Sequence, residues 1–582
     1  MLHTIIKENL YQDSVNLMLL TNRLSTMEGV NKISVMMGTP ANLDIFKNTG
    51  LYTIDLEEAK PNDMCIVADA DSEETVGKVL AELDSFLKNQ AVSSSAKEFE
   101  TVRTWDRAMK TLPGANVAII SVPGQYAAEE AEKALNNGLH AFLFSDNVPI
   151  EDELRLKKLA HEKGLLVMGP DCGTGIASGI PLAFANVVTE GNIGIVGASG
   201  TGIQEVTTII DRLGGGVSHA IGTGGRDLSN SIGAITMMDS IRALENHSGT
   251  KVITIISKPP AKEVRNQVVR LLRSVSKPVV ALFMGEKPAE QEGHVIYAGT
   301  LEETAVLSVQ LANGNELKGL ISENSTSLPA VELKAKQTAI KGLFSGGTLA
   351  AEVAMFISEA LGLQKGLIHE EGYLLKVNGH EVIDLGDDKY TQGKPHPMID
   401  PETRIQFIQE AAKDECTAII LLDVVLGYGS HDDMAGVLLP AIVAAQDEAA
   451  ANGRNLYFVA TVCGTEKDPQ DYQEQKTKLE SAGVIVRESN VQAIKTTLKL
   501  LNIEVPVTKR EFHPVGTLEK KEALLVSEQI SKLVNEKPAI VNVGLKKFTQ
   551  AVTNHGGQVV QFDWRPAAGG NERMRKILAL LK

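Results

Sequence analysis

The sequence predicts a multidomain α/β protein: a Rossmann-like domain, two flavodoxin-like domains, and small α/β units at both ends. Two observations predict it. Short apolar runs alternate with helical patterns along most of the chain, as expected for parallel sheets covered by helices. A strand, glycine loop and helix also recur, with the same elements following in the same order. At 582 residues the chain is too long for one hydrophobic core.

Residues 1–95 read as a small α/β unit, with strands over 3–6, 32–37 and 63–68 and helices over 14–27 and 73–88. The Ser-rich stretch 90–100 is a linker. Residues 96–190 form the Rossmann-like domain, with strands over 115–121, 140–144 and 165–168 and helices over 126–137 and 150–163. Such sheets bind ligands beyond the carboxyl ends of their strands. Gly124, Gly169, Asp171 and Cys172 fall there. No base is identifiable for Cys172, which reads as structural.

Residues 191–320 and 335–502 are the duplicated units. The first opens with GNIGIVGASGTGIQEV, a buried strand followed by Ser199, Gly200, Thr201 and Gly202 at a helix start. Free N–H groups at such a turn face an anion, and the hydroxyls add donors. It is neither a Walker loop nor a clean GxGxxG. The second unit opens with GLFSGGTLAAEV, presenting Ser345, Gly346, Gly347 and Thr348. The turn holding Gly224, Gly225, Arg226 and Asp227 follows the first loop, and Asp384, Asp387 and Asp388 follow the second. Both units then carry two strands, the last ending in Gly-(Thr)-Glu-Lys-(Asp)-Pro. Residues 503–520 are a second linker, and 520–582 a small C-terminal α/β segment. Its WRPAAGG reads as a docking or lid element with an exposed aromatic.

Composition narrows the function. The net charge of −16 disfavours a nucleic-acid partner and requires any phosphate grip to be local. The four cysteines form no CxxC pair, so no metal site or disulfide framework is suggested, and they fit a reducing cytosol. No signal peptide and no apolar run of membrane-spanning length is expected, which points to a cytoplasmic protein.

Several of these phrases carry a family resemblance. GPDC, GASGTG, the Gly-Gly-Arg-Asp turn and the duplicated units resemble the succinyl-CoA synthetase superfamily, with 116–316 like its α subunit and 340–500 like the CoA-ligase domain of its β subunit. SVMMGTPAN, GLLVMGPDCGTG, GGRDLS, SKPPA, IDLGDD and KPHPMIDP are similar to the FdrA proteins over nearly the whole length. That resemblance implies a subunit of an oxamate carbamoyltransferase of anaerobic allantoin degradation, phosphorolysing oxalurate to oxamate and carbamoyl phosphate with companion subunits. An acyl-CoA synthetase is the older alternative, and a non-catalytic scaffold that binds acyl phosphate or CoA is a third. CoA is a candidate cofactor, and homo-oligomerisation is expected.

The superfamily implies that two helix N-termini grip one phosphoryl group, here Ser199 to Gly202 and the Gly427, Tyr428, Gly429 and Ser430 loop. Phosphohistidine chemistry would fall to His294, which follows a glycine but lacks the rest of the superfamily's loop; a surface histidine is the simpler reading. No ATP-grasp module is visible, so a complete ATP-driven ligase is disfavoured. Arg226 is the leading cation for a carboxylate or phosphate, against a salt bridge at equal weight. Lys258 is a second phosphate ligand. Asp387, Asp388 and His396 are candidates for a metal or for ureido N–H groups, against a default as turn formers and caps. His431, Asp432 and Asp433 read as complement to a helix dipole.

Overall fold

The computed structural model describes residues 2–93, 100–318, 328, 330–363, 370–391, 394–504, 510–516 and 524–566. Their strands form four sheets. The N-terminal unit is a three-stranded antiparallel sheet with Met64–Ala70 between Leu2–Lys7 and Val30–Met37. Helices Ser14–Ser25, Pro40–Asn48 and Glu73–Ser93 complete the unit.

The Rossmann-like sheet is all parallel and six-stranded, and it recruits two strands from residues 539–562. Its order is Thr101–Val102, Gln558–Phe562, Ala539–Val543, Val117–Ile120, His140–Leu143 and Val167–Met168. Val543 pairs with Ile120 on one side and Phe562 on the other. The C-terminal segment expected as a separate unit is therefore part of this domain. Its strand Ala539–Val543 is buried throughout between two neighbours, and its Asn542 finds its partner in Gln561 of the next strand, so the pair depends on the rest of the sheet. Trp564, expected to be exposed for docking, is buried against Tyr11 and Tyr126. The remainder of that motif, residues 567–570, lies outside the described residues.

The two repeated units share one topology. In the first, Glu190–Ala198 lies between Val217–Gly222 and Val252–Ser257, followed outward by Val279–Phe283 and Val295–Tyr297. In the second, Ala339–Phe344 lies between His380–Asp384 and Thr417–Val425, followed by Tyr457–Cys463 and Ile485–Arg487. The first sheet also takes in the hairpin of Thr174–Ala177 and Ile180–Ala183, residues expected in the preceding domain. The second adds the antiparallel Tyr373–Val377.

The helix that follows each first strand packs between the units. Ile203 and Val206 of Gly200–Arg212 share one apolar core with Leu349 and Val353 of Gly347–Ala360. Burying both apolar stripes against each other brings the two helix N-termini side by side. Among the described residues one helix, Met434–Ala451, is long and apolar enough to cross a membrane by length and composition, against the expectation of no such run. Its Leu438, Ile442 and Ala445 face the core of the second repeat, so the composition belongs to a helix packed on a sheet.

Candidate functional site

Each helix N-terminus is held by a different device. Ser199 is extended and its Oγ accepts from the Gly202 N–H at 3.0 Å, a standard N-cap. Gly346 offers no side-chain cap to the other helix. Instead Asp423, buried in the next strand, takes the N–H groups of Ser345 and Gly346, each at 2.8 Å, and the Ser345 hydroxyl at 3.0 Å. Arg404, fully buried, pairs with Asp423 at 3.2 Å and fixes its position. Ser345 is thus committed to the scaffold.

The two loops touch. The hydroxyls of Ser199 and Thr348 hydrogen-bond at 2.6 Å. Gly346 permits the approach, because a Cβ there would meet Thr201 Cγ2 at 3.0 Å. Among the described residues, the N–H groups of Gly200, Thr201, Gly347 and Thr348 have no protein partner. They open onto a cavity of about 730 Å³. Two positive helix ends and four free N–H groups at one place make an anion cradle.

The cavity gathers charge from other elements. Lys258 lies on its wall beside Gly225 and has no carboxylate within 4 Å among the described residues. Asp171 reaches the cavity from the Rossmann-like side. Surrounding protein desolvates its carboxyl and pushes it up to about 6, with Lys258 opposing. Asp384 sits against the second cradle helix, and burial pushes it up to about 7, opposed by the Gly386 N–H and by Lys258. Asp146 and Asp388 line the same space. His396 accepts the Met398 N–H on Nδ1 at 3.2 Å, so its proton sits on Nε2. Burial, and secondarily the Arg404 charge, push it down to about 4, so it is neutral near pH 7. The opposite end is apolar and comes from the N-terminal unit, chiefly Leu17, Met18, Val35, Met36 and Met37.

Ser199, Gly200, Thr201, Gly224, Gly225, Lys258, Ser345, Gly347 and Thr348 therefore line one cavity, with Gly202 and Gly346 inside its two loops. Four candidate features take other roles, Arg226 and Asp387 those already weighed for them as a salt bridge and a turn former. Arg226 points away and is bound to Glu153 at 2.9 Å and to the Val148 carbonyl at 2.8 Å. Glu153 also pairs with the buried Lys157, which reaches Asp227 and the Thr223 carbonyl. Arg226 thus braces the glycine turn.

His294 is buried outside the cavity, in the turn just before the edge strand Val295–Tyr297, with its Nε2 against the Leu272 carbonyl at 3.1 Å rather than on the surface. Asp387 is a turn former whose carboxylate takes the Lys389 N–H at 3.0 Å.

The loop Gly427, Tyr428, Gly429 and Ser430 is not a helix start. Its helix begins at Met434, capped by Asp433, and both glycines have positive φ. Gly427 packs on Ala185, Gly429 on Phe184, and Tyr428 contacts His555 and Asn554 of the C-terminal segment. Ser430 is buried there. The second cradle helix is the one at Gly347. Asp384 and Asp146 were the residues that sequence reasoning missed as site groups. Asp384 has a signal in retrospect, standing at the carboxyl end of a strand next to the first strand of its repeat.

Comparison with known proteins places families on these units. A family model described as CoA-ligase matches residues 343–500, and one described as CoA binding domain matches 188–285. A third, described as AllF, heavy metal-associated domain, matches residues 1–103. The uncharacterized protein YahF of Escherichia coli strain K12 is 44% identical over 497 residues, 84% of this chain and 96% of that protein. Subunit alpha 2 of an ADP-forming succinate–CoA ligase from Archaeoglobus fulgidus is 27% identical over 198 residues, 33% of this chain and 66% of the subunit. A dinucleotide-forming acetyl-coenzyme A synthetase of Ca. Korarchaeum cryptofilum aligns with 70% of this chain and 87% of its own, at 14% identity and a TM-score of 0.31.

The N-terminal unit offers no pair of thiolates to a soft metal. Its one cysteine, Cys65, is fully buried on the central strand, and burial pushes its thiol up to about 12. Among the described residues no three His, Cys, Asp or Glu side chains are placed to hold a metal ion.

Proposed function

The chain belongs to the same family as E. coli YahF and carries CoA-ligase and CoA-binding domains, and on that premise we propose that it transfers acyl groups through an acyl phosphate, as an acid–CoA ligase-type enzyme. One observation carries this reading: two helix N-termini, one from each repeat, meet at the Ser199–Thr348 contact and offer four free N–H groups to a single anion. Lys258 adds a cation on the wall of the same cavity. An acyl phosphate bound there has its phosphoryl oxygens on the cradle. The N–H groups then stabilise the phosphate that leaves when a nucleophile attacks the acyl carbon. Asp384 and Asp171, whose pKa values stand near neutrality, are suited to hold or release the nucleophile's proton.

CoA fits the chemistry of the cavity, which joins an anion cradle to an apolar, methionine-rich end. When bound, CoA supplies a thiol nucleophile. The chain's part is to bind and orient: the cradle residues hold phosphate, and Met18, Met36 and Met37 exclude water from the far end.

A second reading is carbamoyl transfer. It draws on the position of His294, which is tied to the Leu272 carbonyl and lies outside the cavity. Without a phosphohistidine relay on that residue, phosphate in the cradle is placed to attack a carbamoyl carbon directly. With oxalurate this expels oxamate and leaves carbamoyl phosphate. Companion subunits and self-association belong to this reading.

The test is a pair of assays on the purified chain, alone and with whatever co-purifies. Acyl-CoA formed from ATP, CoA and a panel of carboxylic acids supports the ligase reading. Carbamoyl phosphate formed from oxalurate and phosphate, without acyl-CoA, replaces it with the second. If neither product forms and inorganic phosphate does not bind, both readings fall.

A further inference from the structure

Beside the cradle lies a polar corner that the phosphoryl group does not use. His396 Nε2 lies 2.6 Å, the Ser345 carbonyl oxygen 2.9 Å and Asp384 Oδ1 3.2 Å from the point where a Cβ on Gly386 would stand. All four residues line the cavity. Glycine at 386 lets the imidazole reach the cavity floor. Since Nδ1 already accepts the Met398 N–H, Nε2 is the protonated nitrogen, and it has no hydrogen-bond partner among the described residues. Ser345 stands two residues before Gly347, so this donor is next to the anion cradle.

We propose that His396 donates its Nε2–H to the carbonyl oxygen of an acyl phosphate whose phosphoryl group occupies the cradle, making Gly386 the floor of an acyl subsite. The inference rests on the acyl-phosphate reading above and assigns the acyl end of the ligand. A neutral imidazole suits the task, because it donates to an oxygen that gains negative charge during attack without adding a buried charge to the resting site. Burial and Arg404 both favour that neutral form. The loop that carries His396 is fixed from outside the repeat: Asp400, four residues on, accepts a hydrogen bond from Asn22 of the N-terminal unit at 2.6 Å. The N-terminal unit thereby positions the donor as well as walling the cavity.

The test compares binding of acetyl phosphate and inorganic phosphate to the full-length protein by titration calorimetry. Wild type is expected to bind acetyl phosphate about tenfold more tightly than phosphate, the scale of one good buried hydrogen bond. His396→Phe removes that preference, while His396→Gln, which keeps an N–H donor, retains part of it. Should His396→Phe fail to fold, Gly386→Ala displaces the ring and gives the same loss. Phosphate binding without any preference in wild type, or a full preference in His396→Phe, overturns the subsite and leaves the cradle standing. If wild type binds neither anion, the cradle reading falls, and this inference with it.

Discussion

Lys258 and Arg226 show how little residue type says about role. Both are cations at strand-end turns of the same repeat. Arg226 is spent on Glu153 and a backbone carbonyl, whereas Lys258 stands on the cavity wall with no carboxylate within 4 Å among the described residues. Lys258→Ala is therefore expected to weaken phosphate binding about tenfold, read by calorimetry, with Arg226→Ala as the comparison. If the arginine variant loses more affinity than the lysine variant without losing stability, the assignment of roles is reversed. Gly346 is a second residue-scale case. A methyl group there meets Thr201 Cγ2 at 3.0 Å and Asp423 Oδ2 at 3.1 Å. Gly346→Ala should cost about 1–3 kcal/mol in unfolding experiments. Adding Thr201→Ser, which deletes the clashing methyl, should recover part of it.

At the scale of elements, the two cradle helices are coupled through their first turns. Ser199 caps its own helix and touches Thr348 of the other. Ser199→Ala should cost about 1 kcal/mol from the lost cap. Combined with Thr348→Val, the losses should be non-additive by at least about 0.5 kcal/mol, because both changes remove one shared hydrogen bond. A strictly additive cycle, measured by denaturant unfolding, means that the loops do not touch. The glycine loop at residues 427–430 makes the opposite point. It resembles an anion loop in composition, yet its chain turns under Phe184 and docks the C-terminal segment before the helix starts at Met434.

At the scale of the molecule, segments far apart in sequence meet. Strands Ala539–Val543 and Gln558–Phe562 complete the sheet begun near residue 101, and Trp564 packs on Tyr11 of the N-terminal unit. A chain ended at residue 523 should lose this sheet while the two repeats persist. Limited proteolysis should then cut rapidly within residues 100–168; slow cutting there refutes the shared sheet. The same join predicts acid sensitivity. His140 accepts the Leu166 N–H on Nδ1 at 3.0 Å and has Nε2 against the Gln529 carbonyl at 3.1 Å, which requires the neutral ring. Burial pushes it down to about 4. Its folded value lies below its unfolded one, so the unfolded chain binds the extra proton. Its contribution is then full above about pH 6.5 and falls by about 1.4 kcal/mol per pH unit down to about 4. Melting temperatures at pH 7.5 and 5.5 should differ less in His140→Gln than in wild type.

The repeated α/β units, the two glycine loops and Lys258 were legible from the sequence because they depend on local pattern: apolar strand runs, glycine where a loop must be tight, and the order of elements. Which helix starts face each other was not legible, since it follows from how the apolar stripes of Gly200–Arg212 and Gly347–Ala360 pack. Nor was the fate of each polar side chain. Arg226, His294 and Asp387 have residue types and positions suited to a site, but partners distant in sequence or their own turns claim them. His396 and Asp384 acquire their character from burial and from neighbours supplied by other strands. Sequence pattern determines the elements and their order, while desolvation and pairing across the fold decide which groups remain free to bind.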